Sequence, residues 1–234
     1  DQSKINEVCL GLEKIKYYNN ELEWSSLAQP FGNYLTACRI GKNNITRICG
    51  AWDSASGLRG RDASVLSICA RDDQGNTYIH DLKVLSAVDE KTKDFTEQCR
   101  EIILCCAYHK LAHVVVEENF SATLANELRK VARDMKVFVQ VIPKFRTTNK
   151  RVFIAQTLEP IIKISRMYVH ERVRDNTPFM DELQAFPQPR AMDDCIDATA
   201  EAINHLPNLA VDVSKVAKIY NPLSNAGASF GLNK

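Results

Sequence analysis

From about residue 45 the hydrophobic positions fall into short runs and helical stripes in a fixed succession. Apolar runs over 46–53, 64–71 and 77–84, the last two separated by the polar turn Asp72-Asp73-Gln74-Gly75-Asn76, predict three strands of an antiparallel meander. Phe95, Cys99, Ile102, Ile103 and Cys106 then recur on one face, predicting a helix over 91–109. Residues 112–117, Ala-His-Val-Val-Val-Glu, form a β-branched run without alternation, the pattern of a strand covered on both faces. Leu124, Leu128, Val131 and Met135 mark a second helix, and 137–142 a second buried strand. Helix followed by strand, twice, points to βαβ crossovers.

The later elements are shorter. A basic loop over 143–151 leads into a helix ending near Pro160. Residues 167–169 read as a short strand, and 181–186 as a helical turn stopped by Pro187 and Pro189. Ile196, Ala200 and Ile203 place a strong helix over 193–206, with Asp193 or Asp194 as its N-cap. Ahead of all this, Ile5, Val8, Leu12 and Ile15 predict a helix near the start, and Pro30 and Gly32 break the pattern. The sequence thus divides into an N-terminal extension or linker (1–44), an α/β domain with a mixed central sheet flanked by helices (45–206), and a tail (207–234) expected to fray or dock loosely.

Composition changes this picture little. The chain has 234 residues, 45% hydrophobic and 25% charged, as in ordinary globular proteins. A net charge of +1 gives no global sign of nucleic-acid binding, so any DNA surface must be a local patch. The eight cysteines include no CxxC pair, which argues against a zinc site and for reduced, mostly buried thiols. No signal peptide or membrane-length apolar run occurs, and no membrane partner is expected. The first residue is Asp rather than Met, which suggests a processed chain or an excised fragment. The five histidines are scattered and receive no role; Trp24 and Trp52 read as core.

The chemistry centres on Cys49-Gly-Ala-Trp-Asp53-Ser-Ala-Ser-Gly57, an apolar run ending on a carboxylate and opening into small residues. Glu117 ends a later strand in the same way, and Asp193, Asp194 and Asp197 open the last helix. Adjacent strand ends lie about 5 Å apart, so Asp53 and Glu117 converge if their strands are neighbours. Carboxylates gathered without bases repel and take up protons. Mg²⁺, which prefers hard oxygen ligands, relieves this. Two such ions roughly 4 Å apart can drive phosphodiester hydrolysis. Lys144, Arg146, Lys150 and Arg151 are either a solvated loop or a DNA-phosphate contact beside that site, with Arg59 and Arg61 as possible helpers.

Three stretches carry a family resemblance: 51–57 with Asp62-Ala-Ser-Val65; Val114-Val-Val-Glu117-Glu-Asn119; and Glu182-Leu-Gln-Ala-Phe-Pro187 followed by Asp193-Asp194-Cys-Ile-Asp197-Ala198. In order and spacing they resemble the nuclease domain of tailed-phage terminase large subunits, members of the ribonuclease H-like superfamily. Lys150-Arg151 opens a helix in the place of that family's basic helix. The resemblance spans about residues 45–205. It implies a ribonuclease H-like mixed sheet and a metal-dependent endonuclease that cuts concatemeric double-stranded DNA during packaging. It implies two Mg²⁺ or Mn²⁺ ions held by Asp53, Glu117 and the Asp193/Asp194 pair. Asp197 matches a recurrent family aspartate that is either a ligand or structural. Glu118 and Met192 depart from the family pattern and blur which acid of each pair is the ligand.

The implied partners are double-stranded DNA, a terminase ATPase domain, the small terminase subunit and the portal. The implied location is the host cytoplasm, at the procapsid. No Gly-x₄-Gly-Lys-Ser/Thr motif occurs, so the ATPase is expected on a part of the protein outside this sequence. Two other classes fit the same residues: a junction resolvase or recombinase of the same superfamily, and a non-catalytic module docking on portal or capsid.

Overall fold

A computed structural model describes residues 11–28, 34–54, 63–86, 94–118, 123–188 and 191–206. Its centre is one nine-stranded mixed sheet. The strands are β1 (Lys16–Tyr18), β2 (Leu22–Ala28), β3 (Tyr34–Ile40), β4 (Asn43–Asp53), β5 (Val65–Asp72), β6 (Thr77–Val84), β7 (His113–Glu118), β8 (Gln140–Phe145) and β9 (Met167–His170). The helices are α1 (Thr96–Tyr108), α2 (Thr123–Asp134), α3 (Lys150–Lys163), α4 (Glu171–Asn176), α5 (Phe179–Ala185) and α6 (Asp194–Asn204).

The strand order is β1-β9-β6-β5-β4-β3-β2, with β7 and β8 branching from β4. The branch arises because β4 is long enough for two neighbours on one edge. Its first residues, Asn43 to Ile45, pair antiparallel with β3. Its later residues, Gly50 to Trp52, pair parallel with β7. The meander β4-β5-β6 is antiparallel throughout, and β7 pairs β8 in parallel, so the expected meander and crossovers are present.

Two cores flank the sheet. Cys49, Ala51, Val65, Cys69 and Val115 pack with α3, α4, α5 and α6. Trp52, Leu66, Ile68, Val114 and Val116 pack with α1 and α2. The period of two along β4 and β7 thus sends successive side chains to opposite layers. Helix α6 is enclosed: every residue from Asp194 to Ile203 is buried. No helix among the described residues is long and apolar enough to cross a membrane.

Helices α1, α2 and α3 end alike. Lys110, Lys136 and Ser165 take positive φ (51°, 57° and 56°) just past each helix. The following N–H reaches back to a carbonyl one turn earlier, as Leu111 to Cys106, Val137 to Ala132 and Arg166 to Ile161. Each chain then enters the next parallel strand.

Several expectations need correction. In place of a helix over the first fifteen residues, the described part holds one 3-10 turn, Leu12–Lys14, and Ile15 is buried against the α3 layer; Ile5 and Val8 lie outside the described residues. Residues 16–40 are not a connector but three strands of the central sheet, which therefore begins before residue 45. Leu22, Trp24, Cys38 and Ile40 cover a third apolar cluster with Ile45 and Tyr78. Strand β8 starts at Gln140, not 137, because the terminal loop of α2 takes the Val137 N–H out of the ladder. Its far end takes in residues 143–145, with Lys144, and α3 takes in Lys150 and Arg151, so only 146–149 of the expected basic loop lie between elements. Helix α4 was not foreseen. The expected tail from 207, with Arg59, Arg61, Asp62, Asn119 and Pro189, falls outside the described residues.

Candidate metal centre

The pleat decides which acids meet. On β4 and β7, Ala51 pairs Val115 and both face the α6 layer, whereas Trp52 pairs Val116 and both face α1 and α2. Asp53 and Glu117 follow next and therefore return to the α6 side. Glu118 points the other way, and its carboxylate accepts the Ala125 N–H at 2.7 Å, capping α2. Glu118 is thus engaged at the start of α2, on the face away from Asp53.

Helix α6 delivers the third acid. Carboxylate oxygens of Asp53, Glu117 and Asp197 lie within 4.8 Å of one another, and this is the one such group among the described residues. The aspartate pair at the helix start stands beside it. Asp194 Oδ2 accepts the Ala63 N–H at 2.8 Å. Asp193 Oδ1 lies 2.9 Å from Lys150 Nζ. Asp193 occupies the N-cap position of α6, but its side chain makes no cap bond. That task falls to Glu182 on α5, whose Oε2 accepts the N–H groups of Cys195 and Ile196 at 2.8 and 3.1 Å. A glutamate supplied from another helix is invisible to N-cap rules based on neighbouring residues.

Two cations turn inward onto these acids. Arg146 Nη1 donates to both oxygens of Asp197, at 2.6 and 2.8 Å, and Nη2 donates to Glu117 Oε2 at 2.6 Å. Nη2 also lies 3.4 Å from Glu201 Oε2, one helical turn beyond Asp197. Lys150 Nζ, at the start of α3, reaches Asp197 at 3.1 Å and Asp53 and Asp194 at 3.7 Å each. Lys144, paired in register with Glu117, approaches Glu201 at 3.8 Å. Arg151 gives its backbone N–H to the Asn149 side chain, which caps α3. So Arg146 and Lys150, expected to face DNA, sit among the carboxylates.

The electrostatics follow from burial. Burial pushes the Asp53 pKa well above the usual carboxylate range; Lys150 opposes this, while Asp197, Glu117 and Asp194 reinforce it. Glu117 is raised for the same first reason, with Arg146 opposing. Burial works against the Arg146 charge, but Asp197 and Glu117 outweigh it and its pKa is raised. Lys150 is likewise raised by Asp53, Asp197 and Asp193 despite burial. An all-carboxylate donor set suits Mg²⁺ or Mn²⁺ rather than a soft metal. The raised Asp53 marks a carboxylate whose charge is disfavoured first by burial and then by the acids beside it.

Comparison with known proteins places the domain. Residues 54–167 match the family described as "Terminase Bacteriophage T7, Ribonuclease H-like domain". The match contains Glu117, Arg146 and Lys150 and begins one residue after Asp53. No curated protein matches the chain. Among solved structures, a mutant nuclease domain of the large terminase subunit of bacterial virus Sf6 with manganese is similar at TM-score 0.46 and 8% identity, over 69% of this chain and 89% of that one. The fowlpox virus Holliday junction resolvase is similar at TM-score 0.38 and 12% identity, over 74% of this chain and 99% of that one. Thermus thermophilus RuvC with a Holliday junction substrate is similar at TM-score 0.37 and 15% identity, over 68% and 92%. Residues 54–167 are thus similar to the ribonuclease H-like domain of a phage terminase, and the mixed sheet flanked by helices agrees with that fold.

Proposed function

We propose that the domain is a metal-dependent endonuclease that cuts concatemeric double-stranded viral DNA during genome packaging. The observation that carries this reading is the convergence of Asp53, Glu117 and Asp197 from β4, β7 and α6 within 4.8 Å. These three would hold Mg²⁺ or Mn²⁺, as two ions. Asp193 and Asp194, first expected as ligands, would serve at the rim: Asp194 by fixing Ala63, and Asp193 by holding Lys150.

Bound there, the metal would supply Lewis-acid polarisation of a phosphodiester and offset its negative charge. The chain's own groups would do the rest. The enclosed α6 layer keeps water from the back of the site. Lys144 and Lys150, each partly exposed, would orient the phosphate backbone, a contact that carries no base information. In the same reading the domain works in the host cytoplasm at the procapsid, with the terminase ATPase domain, the small subunit and the portal as partners.

The test is nicking and linearisation of supercoiled plasmid with Mg²⁺, Mn²⁺ or EDTA, comparing wild type with Asp53→Asn. Metal-dependent cutting lost in the variant is the expected result. Cutting that survives Asp53→Asn would sink this site. A four-way junction run alongside separates a resolvase, which would prefer it to linear duplex.

A further inference from the structure

We propose that Arg146 is a metal-displaceable counter-ion, whose guanidinium holds Glu117 and Asp197 until a divalent ion takes those carboxylates from it. This rests on the metal reading above and adds a regulator to it. The argument begins with occupancy. Both oxygens of Asp197 and Oε2 of Glu117 already accept short bonds from Arg146. Glu117 and Asp197 are also two of the three members of the metal group. A divalent ion on these carboxylates would stand against the guanidinium's own positive charge, so binding one opposes the other.

The arrangement is also only partly satisfied. Arg146 Nε is buried and has no hydrogen-bond partner. A guanidinium has five donors, and leaving a buried one idle costs free energy. Its guanidinium carbon lies over the Phe153 ring, 4.7 Å from the centroid, a contact that does not draw on its N–H donors. Glu201 lies outside the metal group and still contacts Nη2 at 3.4 Å, so the side chain keeps one partner when the other two leave. Lys150 is the lesser competitor: within the metal group it reaches one oxygen of Asp197 at 3.1 Å and Asp53 only at 3.7 Å, and it is more exposed than Arg146.

The prediction has an unusual sign. Losing a merely structural arginine would loosen the site and weaken metal binding. Losing a competitor strengthens it. Calorimetric titration of EDTA-stripped protein with Mn²⁺ should show Arg146→Met binding about tenfold tighter than wild type, by the size of close charge-pair couplings. Arg146→Lys, which keeps the charge but cannot bridge two carboxylates, should fall between. Equal or weaker binding by folded Arg146→Met overturns the proposal. Should that variant fail to fold, Arg146→Lys decides: no tightening overturns it equally.

A second readout needs no Mn²⁺ affinity. The Arg146 guanidinium N–H signals, identified by their loss in Arg146→Lys, should be resolved in EDTA and averaged by Mg²⁺. Signals unchanged at saturating Mg²⁺ overturn the proposal. Wild type lacking any saturable Mn²⁺ binding that Asp53→Asn removes would instead overturn the metal reading itself, and this inference with it.

Discussion

The carboxylate of Glu182 accepts the backbone N–H groups of Cys195 and Ile196, at 2.8 and 3.1 Å, across 13 and 14 residues of chain. Helix α6 owes its starting point to this bond pair, and Asp197 stands in its first turn. Glu182→Ala leaves two buried donors unsatisfied and should cost about 1–3 kcal/mol. Glu182→Gln keeps an acceptor oxygen and should cost clearly less. Urea unfolding of both variants checks this; equal losses would remove the capping role.

In the proposed reading, Asp197 belongs to the ligand set and Asp193 to its rim. Asp197→Asn should lower metal-dependent cutting by about a hundredfold or more, since outer partners of metal ligands alone cost up to that. Asp193→Asn, which loses only a Lys150 contact, should cost about tenfold or less. Initial rates on plasmid at saturating Mg²⁺ decide. The reverse ranking would return the ligand role to the aspartate pair.

His80 makes stability depend on pH. It is fully buried, with Nδ1 3.0 Å from the Tyr18 hydroxyl and Nε2 3.2 Å from Arg172. Burial first, then Arg172, His109 and His170, push its pKa down to about 3. An unfolded histidine titrates near 6.5. Between the two values the unfolded chain binds a proton that the folded one refuses, so stability falls as pH drops through that window. His113 and His170 are lowered by burial in the same sense, while His205, raised by Glu201, and the carboxylates of Asp53, Glu117 and Glu182, raised by burial, act the other way. Each histidine contributes at most about 1.4 kcal/mol per pH unit. Between pH 7 and pH 5 the urea midpoint of wild type should fall more, or rise less, than that of His80→Gln. Parallel profiles for the two proteins contradict the assignment.

Lys136 and Ser165 end α2 and α3 in the left-handed region, where a Cβ is unfavourable. Lys136→Gly and Ser165→Gly should each raise stability by about 0.5–1 kcal/mol, the relief of that strain less the flexibility glycine adds to the unfolded chain. Thermal unfolding measures it. Destabilisation by both would mean the side chains contribute more than the backbone strain.

The sequence patterns made much of this architecture readable, because local rules carry it. The β-branched run before Glu117 and the stripe Ile196, Ala200, Ile203 determine their own elements. Period two alone could have separated Glu117 from Glu118, since each lies opposite in the pleat. Spacing of four could have added Glu201 to Asp197. What no local rule supplies is the partner across the fold. Strands β2 and β3 gain their burial from Ile45 and Tyr78, and Arg146 turns inward because acids from two other elements wait there. Glu182 reads as part of a motif, but its bond to α6 exists only in three dimensions.

Trp52 immediately precedes Asp53, is 1% exposed, and donates its indole N–H to Ser64 Oγ at 2.8 Å. Ser64 in turn donates to Gln98 Oε1 at 2.9 Å. The strand that delivers the first acid therefore carries a fluorophore on its opposite face, tethered through one peptide unit. With only two tryptophans in the chain, emission from Trp52 can be isolated by replacing Trp24. The molecule comes with an optical gauge beside its own site, readable in a cuvette without a label.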